Sequence, residues 1–547
     1  MAQDMSRDHA EAAAFDVVIV GAGFSGMYML HRLRKLGLEV RVLDMATDVG
    51  GTWYWNRYPG ARCDVESMQY SYSFSPELQQ EWRWSERFSA QPEILKYAQH
   101  VAERFDLKRD IQFETAVTSA HFDESRQRWL IGTANGHRFE ARHCIMATGC
   151  LSTSRVPDFK GLDSYKGRTY HTGTWPHEPV SFKGLRVGVI GTGSSSIQAI
   201  PVIADEAAHV TVFQRTPNYS IPSRNGPMTD DYEQYWKGDY PAHRAKAKAT
   251  RNGVLAPLND KGAVEVAEAD RIKTYEQRWA SGGTTFMAAF NDLILNQASN
   301  DTAAEFVRGK IREMVKNPET AELLAPKDYP IGTKRICVDT RYFETFNRPN
   351  VKLVDVRKDP IDAITEKGVR QGGTEYEFDA IVYATGFDAM TGTLMKMDIQ
   401  GRDGLKLVDE WAAGPKTYLG MMSAGFPNLF MITGPGSPSV LSNMIVSIEQ
   451  HVEWMSDCIA HLERNRIATI EPTAEAQNDW VVHGFEVAHK TLYPKAASWY
   501  MGANIPGKPR VFLPYIGGVG VYREKCAAIA AKGYEGFALE HAKQAAV

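Results

Sequence analysis

Two glycine loops, each wedged between an apolar run and a helical pattern, constrain this chain more than any other feature. The first lies in "FDVVIVGAGFSGMYMLHRLRKLGLEVRVLDMA". Phe15 to Val20 reads as a strand buried on both faces, since the run is continuously apolar. Gly21, Gly23 and Gly26 follow as G-x-G-x-x-G. The first permits a tight turn, the second lets backbone approach a pyrophosphate, and the third lets helix pack on strand. The spacing predicts a helix from Met27 to a stop at Gly37, then a strand Val40 to Leu43 ending in Asp44. That carboxylate lies 23 positions beyond Gly21, where a ribose hydroxyl needs an acceptor.

The second loop lies in "GLRVGVIGTGSSSIQAIPVIADEAAHVTVFQRTPN". Leu185 to Ile190 is the strand, Gly191 and Gly193 open the turn, and Ser196 replaces the third glycine. The next strand, Val210 to Phe213, ends not in an acid but in Gln214-Arg215-Thr216. A cation there suits a 2′-phosphate, which an acid would repel. The first unit therefore predicts FAD or NAD and the second NADP. Two nucleotide sites of opposite charge logic point to an enzyme that passes hydride from NADPH to a bound flavin.

The chain has 547 residues, a length that suggests about three to four domain-sized units. The expected fold class is α/β: two Rossmann-like dinucleotide-binding domains, for FAD and NADP, with a helical insertion in the NADP domain. The divisions are 1–150 (FAD domain, first segment), 151–220 (NADP domain, first segment), 221–332 (helical insertion), 333–388 (NADP domain, second segment) and 389–547 (FAD domain, second segment). Within the insertion, Thr302 and Glu305 have the spacing of a capping box, and Phe306, Val307, Ile311, Met314 and Val315 recur at helical spacing. "IMATG" and "VYATG" each end an apolar strand near the points where the chain crosses between domains.

A formal net charge of −4 with mixed signs gives no case for nucleic acid or for an electrostatic membrane partner. Six scattered cysteines without a CxxC pair argue against a disulfide framework, a metal site or a dithiol redox centre. That also disfavours a flavoprotein disulfide reductase. The first fourteen residues carry Asp4, Asp8 and Glu11 and no apolar core of a signal peptide. No run reaches the roughly 18 apolar residues of a membrane span. The expectation is a cytoplasmic soluble protein with a frayed N-terminus.

Between the two loops stands "YKGRTYHTGTWP", Tyr165 to Pro176, which reads neither as a helix nor as a clean strand. It resembles the signature of type I Baeyer–Villiger monooxygenases: Phe, Gly, His, Trp and then Pro or Asp at fixed spacing, placed between two Rossmann loops. Gly167, His171, Trp175 and Pro176 carry the match, and Tyr165 departs mildly from Phe. The resemblance continues, in order, through "GGTWYWNRYPGARCDVES", "IGTGSSSIQ", "VFQRTPNYSIP", "GTKRICVD", "VYATGFDAMTG", "FMITGPGSPSVLSNM" and "SWYMGANIPGKPRVF". Within the family it is nearest the phenylacetone and steroid monooxygenases.

The resemblance implies an NADPH- and oxygen-dependent conversion of ketones to esters or lactones. A peroxide anion on the reduced flavin would attack the carbonyl, and Arg335 in "GTKR" would be the guanidinium that keeps this oxygen negative, with Asp64 as its acidic partner. Lys334, Arg215 and Thr216 would hold the 2′-phosphate, and Gly191, Thr192, Gly193, Ser194 and Ser195 would line the NADP pyrophosphate. Ser25, Asp44, Thr52, Trp53, Tyr54, Trp55, Tyr70, Val117, Cys150 and Met444 match positions contacting FAD, beside Gly21, Gly23 and Gly26. Trp499 would bond NADP near the reaction centre, and Ser439, Val440, Leu441 and Met444 would face the substrate. His171 would orient the linker rather than move protons. The implied partners are a small ketone and O2, with no metal, and the family leans towards monomers. A heteroatom-oxidising flavin monooxygenase is the near alternative, and a non-catalytic dinucleotide sensor a more distant one.

Overall fold

The computed structural model describes residues 12–541; the acidic residues Asp4, Asp8 and Glu11 lie outside them. Two parallel-centred sheets organise the chain. The first has the order Asp398–Gln400, Val117–Asp123, Arg128–Thr133, Arg138–Met146, Ala13–Val20, Val40–Leu43, Ile111–Gln112, with Leu429–Met431 also pairing Arg138–Met146. Its glycine-loop strand runs parallel to both neighbours, Val17 opposite Val40 on one side and His143 on the other. Val17, Val18 and Ile19 are fully buried, and side chains of this size stabilise by about 1.5–3 kcal/mol each when removed from water.

The second sheet is nested within the first in sequence. Its order is Val351–Asp355, His209–Gln214, Arg186–Ile190, Ala380–Tyr383, Arg168–His171, and every pairing is parallel. The signature segment therefore does contain a strand: Arg168–His171 is the edge of this sheet, paired with Ala380–Tyr383. Its pattern is indistinct because the strand is short and its first three residues are exposed or half-buried, so it lacks the apolar run of a central strand.

The helix of the first glycine unit is Phe24–Lys35, starting directly after the loop rather than at Met27. Thr302 and Glu305 do not start a helix. Helix Gln297–Met314 is capped earlier, by Asn296, whose side chain accepts from the amides of Ala298 and Ser299. Thr302 sits inside, its hydroxyl donating to the Ser299 carbonyl.

The helices of 221–332 serve both cores. Trp236 and Tyr240 pack into the cluster built on the first sheet, while Tyr275, Trp279, Phe286, Val307 and Ile311 pack into the cluster built on the second. Arg244 fastens the first group. It is buried, and its guanidinium donates to the carbonyls of Gln69 (2.5 Å) and Ser71 (2.6 Å). Among the described residues no helix is long and apolar enough to cross a membrane, and no group of three or more His, Cys, Asp or Glu could hold a metal.

Candidate functional site

The first glycine loop is a cradle in which glycine is obligatory. Gly21 has φ +110°, and a Cβ there would lie 2.5 Å from the Ala147 carbonyl oxygen. A Cβ on Gly26 would fall 1.8 Å from the Gly21 oxygen. Gly23 faces the second glycine pair, its Cβ position 3.4 Å from Gly51 Cα, so Gly23, Gly51 and the one-turn helix Thr52–Trp55 meet. This bare backbone beside a helix N-terminus fits a pyrophosphate.

Asp44 is more committed than its position in the sequence suggests. Its Oδ2 accepts from the Ala22 amide (2.5 Å) and its Oδ1 from the Ala46 amide (2.8 Å). It thus ties the glycine loop to the end of its strand. Burial lifts its pKa above that of an ordinary aspartate, against the pull of those two amides. Trp53 Nε1 donates to the Tyr70 hydroxyl (3.1 Å), and Tyr54 shares a hydrogen bond with Thr47 (2.7 Å). Ser25 Oγ reaches the Ala147 carbonyl (3.4 Å). Cys150 Sγ lies 3.0 Å from Ser439 Oγ, joining the end of the first segment to the loop that carries Val440. Met444 opens helix Met444–Asn465, capped by Asn443. Val117 stands apart, packing against the cluster on the other face of the sheet.

The second cradle is built differently. Gly191 makes the same turn, φ +113°, with its Cβ position 2.4 Å from the Ala384 oxygen, but a Cβ on Gly193 meets nothing within 4 Å. The loop's outer backbone is open. Thr192 Oγ1 fastens it to the Thr216 carbonyl (2.9 Å). Ser194 Oγ lies 3.0 Å from Cys337 Sγ, and the Tyr58 hydroxyl, beside Ser195, donates to Gln198 Oε1 (2.8 Å). Ser196 is fully buried, and its hydroxyl has no hydrogen-bond partner among the described residues.

Cations collect at the open side. Lys334 sits over the Tyr329 ring, 4.6 Å from its centroid. Burial, and then the charge of Arg215, push its pKa below that of a free lysine. Arg155, which the sequence reading missed, feels the same two effects. Among the described residues none of these three forms an ion pair. The nearby acids are engaged elsewhere, Asp388 by Lys508 (2.6 Å) and Asp328 by Arg357 (3.1 Å). Three uncompensated cations beside an open glycine backbone make a receptor for a phosphate dianion. Arg155 stands in a loop with no nearby motif, so nothing in its own stretch of sequence signals the role.

The signature histidine explains how Arg155 is placed. His171 Nδ1 accepts from the Gly173 amide (3.0 Å), so Nε2 carries the proton and donates to the Arg155 carbonyl (3.0 Å). Burial keeps the ring neutral by lowering its pKa. Arg155 is held again by its amide on the Gly386 carbonyl (2.9 Å) and by Thr385 Oγ1 on its own carbonyl (2.6 Å). Trp175 is buried, stacked on Tyr170 at 5.1 Å, and Pro176 leads to His177, whose ring lies 4.6 Å from that of Tyr54. The segment's end thereby touches the first cradle. Gly167 is a packing glycine, its Cβ position 2.3 Å from the Tyr165 hydroxyl.

Between the cradles lies an ion pair with a buried acid and a half-buried arginine. Arg335 Nε donates to Asp64 Oδ2 (3.2 Å), and Arg335 Nη1 donates to the Val440 carbonyl (3.2 Å). The Asp64 side chain is 8% exposed and that of Arg335 34%. Burial lifts Asp64 above the usual aspartate range despite the adjacent guanidinium. On Arg335 burial opposes the charge, but Asp64 outweighs it and holds the pKa above that of an ordinary arginine. The result is a permanent positive charge whose position is fixed from two sides. Trp499, packed on Tyr500 at 4.2 Å, completes this wall, and Tyr500 lies in the field of Arg335.

Comparison with known proteins places the whole chain among flavin- and nicotinamide-dependent monooxygenases. A family profile described as pyridine nucleotide-disulphide oxidoreductase matches residues 18–229. A Baeyer–Villiger monooxygenase of Pseudooceanicola batsensis is 44% identical over 95% of this chain and 96% of its own length. A phenazine N-monooxygenase of Lysobacter antibioticus is 42% identical over 96% and 97%. A solved structure of oxidised steroid monooxygenase bound to NADP superposes with a TM-score of 0.93 at 52% identity, covering 97% of this chain and 100% of the other.

Proposed function

Because the chain belongs to the Baeyer–Villiger monooxygenase family, we propose that the paired Arg335 and Asp64 are the centre of its reaction and that a ketone is its substrate. The balanced reaction is ketone, O2, NADPH and a proton giving ester or lactone, NADP+ and water. FAD belongs in the cradle of Gly21, Gly23, Gly26 and Asp44, and NADP in that of Gly191 to Ser195 with Arg215, Thr216, Lys334 and Arg155. Bound flavin, once reduced by the nicotinamide, supplies the activation of dioxygen.

The chain's own residues then decide the outcome. Arg335 offers a charge that no accessible pH removes. Placed near an oxygen that becomes negative as the carbonyl is attacked, such a charge stabilises the addition more than the ground state. A cation within about 4–6 Å lowers an acid's pKa by about 1–3 units, enough to keep an attacking oxygen deprotonated near neutral pH. Asp64 holds the Arg335 side chain at Nε and the Val440 carbonyl holds it at Nη1, so the guanidinium is fixed at two of its nitrogens. Val440, through its carbonyl, couples this arrangement to the loop Ser439–Leu441 that shapes the ketone's place.

The observation that carries this reading is the contact of half-buried Arg335 with buried Asp64 between two nucleotide cradles. Arg335→Ala, loaded with flavin, is expected to be reduced by NADPH and to form no ester, while Arg335→Lys retains a small fraction of turnover. Ester formation by Arg335→Ala at the wild-type rate would remove the assignment. The acid limb offers a second check. A raised Asp64 pKa means that its carboxylate is lost above the ordinary range near 3.9 as pH falls, so wild-type turnover should fall there while Asp64→Asn shows a lower plateau without that limb. A panel pairing ketones with sulfides and aromatic amines reads the alternative chemistry, and heteroatom products alone would favour it.

A further inference from the structure

One cavity is explained by neither cradle nor by the ion pair. It holds about 380 Å³ and lies where the end of helix Tyr240–Ala249 meets the end of helix Ala474–His489 and the start of helix Val519–Ala531. Leu295, Val487, Ile516 and Val521 give it apolar walls, and Arg251 and Lys490 are its only charged lining residues. No acid lines it. Among the described residues neither cation forms an ion pair or a side-chain hydrogen bond. The hydroxyls of Thr250 and Thr491 are turned away, each donating to a carbonyl of its own helix end, Ala247 and Ala488. Leu295 and Val521 are 47% and 48% exposed, so the apolar walls continue to the mouth.

Segments that line the cavity are hydrogen-bonded to the wall of the reaction centre. The Tyr515 amide donates to the Ser437 carbonyl (2.7 Å), and the Asn443 amide to the Asn252 carbonyl (2.8 Å). Both sides of the cavity therefore grip the segment that carries Val440, on whose carbonyl Arg335 rests. Ile516 and Val487 pack in the same apolar cluster as Val440, Leu441 and Met444. Tyr493, in that cluster too, lies in the fields of both Arg251 and Arg335.

An open, largely apolar hollow with two unpaired cations and no acid favours a ligand with an apolar body and one anionic end. We infer that it is an outer subsite of the same reaction centre and receives the carboxylate of an elongated oxo acid whose carbonyl lies toward Arg335. This rests on the ketone-oxygenating reading above. Arg251 and Lys490 are recognition residues for the acid's far end and take no part in the oxygen transfer.

The test uses flavin-loaded enzyme with oxo carboxylates of graded chain length and their methyl esters as neutral counterparts. The expected result is a higher kcat/KM for the long acids than for their esters, with no preference among short ones. Arg251→Glu combined with Lys490→Glu should lower the acid-to-ester ratio for long members by about tenfold, and the neutral pair Arg251→Gln with Lys490→Gln should fall between. An unchanged ratio, or an equal loss for acids and esters, overturns the subsite. Calorimetric titration of a long oxo carboxylate into oxidised, NADP+-bound enzyme separates the two hypotheses. If no ketone is oxygenated, the monooxygenase reading fails. Heat of binding that disappears in the charge-reversed variant still supports the subsite, and absence of binding by wild type overturns it.

Discussion

The two glycine cradles share a turn and differ in what they do with charge. In the first, the closing acid is spent inside the protein: Asp44 is buried and both of its oxygens are taken by loop amides. In the second, three cations stand without an ion-pair partner among the described residues, and the Gly193 backbone is open. A site whose polar groups are already satisfied is preorganised and suits a resident group, whereas a site with uncompensated charge gains most when an ion arrives. The same motif thus yields one loop closed by its own acid and one left open beside unpaired charge. The difference lies in residues around the loop rather than in the loop itself.

The sharpest way to break this comparison is to add one methyl group to each loop. Gly26→Ala places a Cβ at 1.8 Å from the Gly21 oxygen; it should cost about 3 kcal/mol or more of stability, read by chemical denaturation and by lost flavin. Gly193→Ala meets no protein atom within 4 Å, so stability should move by less than about 0.5 kcal/mol while NADP+ affinity falls. Equal destabilisation by both would erase the distinction.

Next in size is the charge cluster. Arg215→Glu with Lys334→Met removes two charge-assisted contacts, and NADP+ should bind about 100-fold more weakly with NAD+ changed by less than about threefold. Parallel losses for both nucleotides would show that the cations do not read the 2′-phosphate. Arg155→Gln should give a smaller effect, about fivefold on NADP+, together with a shallower salt dependence in fluorescence titration. The smallest change concerns the substituted glycine. Ser196→Ala removes a buried hydroxyl without a partner among the described residues and should raise stability by about 1 kcal/mol, seen as a higher thermal midpoint with flavin content unchanged.

Much of this was legible because glycine turns are local. Gly21 and Gly191 need positive φ wherever the rest of the chain goes, so sequence spacing alone located both strand–loop–helix units. Arg335 and Asp64, 271 positions apart, met only through a resemblance, since no local pattern joins residues so distant. Arg155 was invisible for a related reason: its guanidinium matters through where His171 and Gly386 hold its backbone. The helices of 221–332 showed apolar faces, but periodicity does not say which sheet receives them. Trp236 packs into the first core and Phe286 into the second, and nothing in the spacing around either residue marks that choice. The edge strand Arg168–His171 escaped notice because a short, half-exposed strand carries little alternation.

The strand Leu429–Met431 flanks Arg138–Met146 in the first sheet, although most of the chain separates it from the opening glycine loop. All five strands of the second sheet fall between, from Arg168 to Tyr383. On the ribosome, the inner sheet can close while the outer one still lacks a member, and an early segment must wait, partly uncovered, for its last neighbour to emerge. The connectivity thus lets every strand of the second sheet be synthesised before the last member of the first.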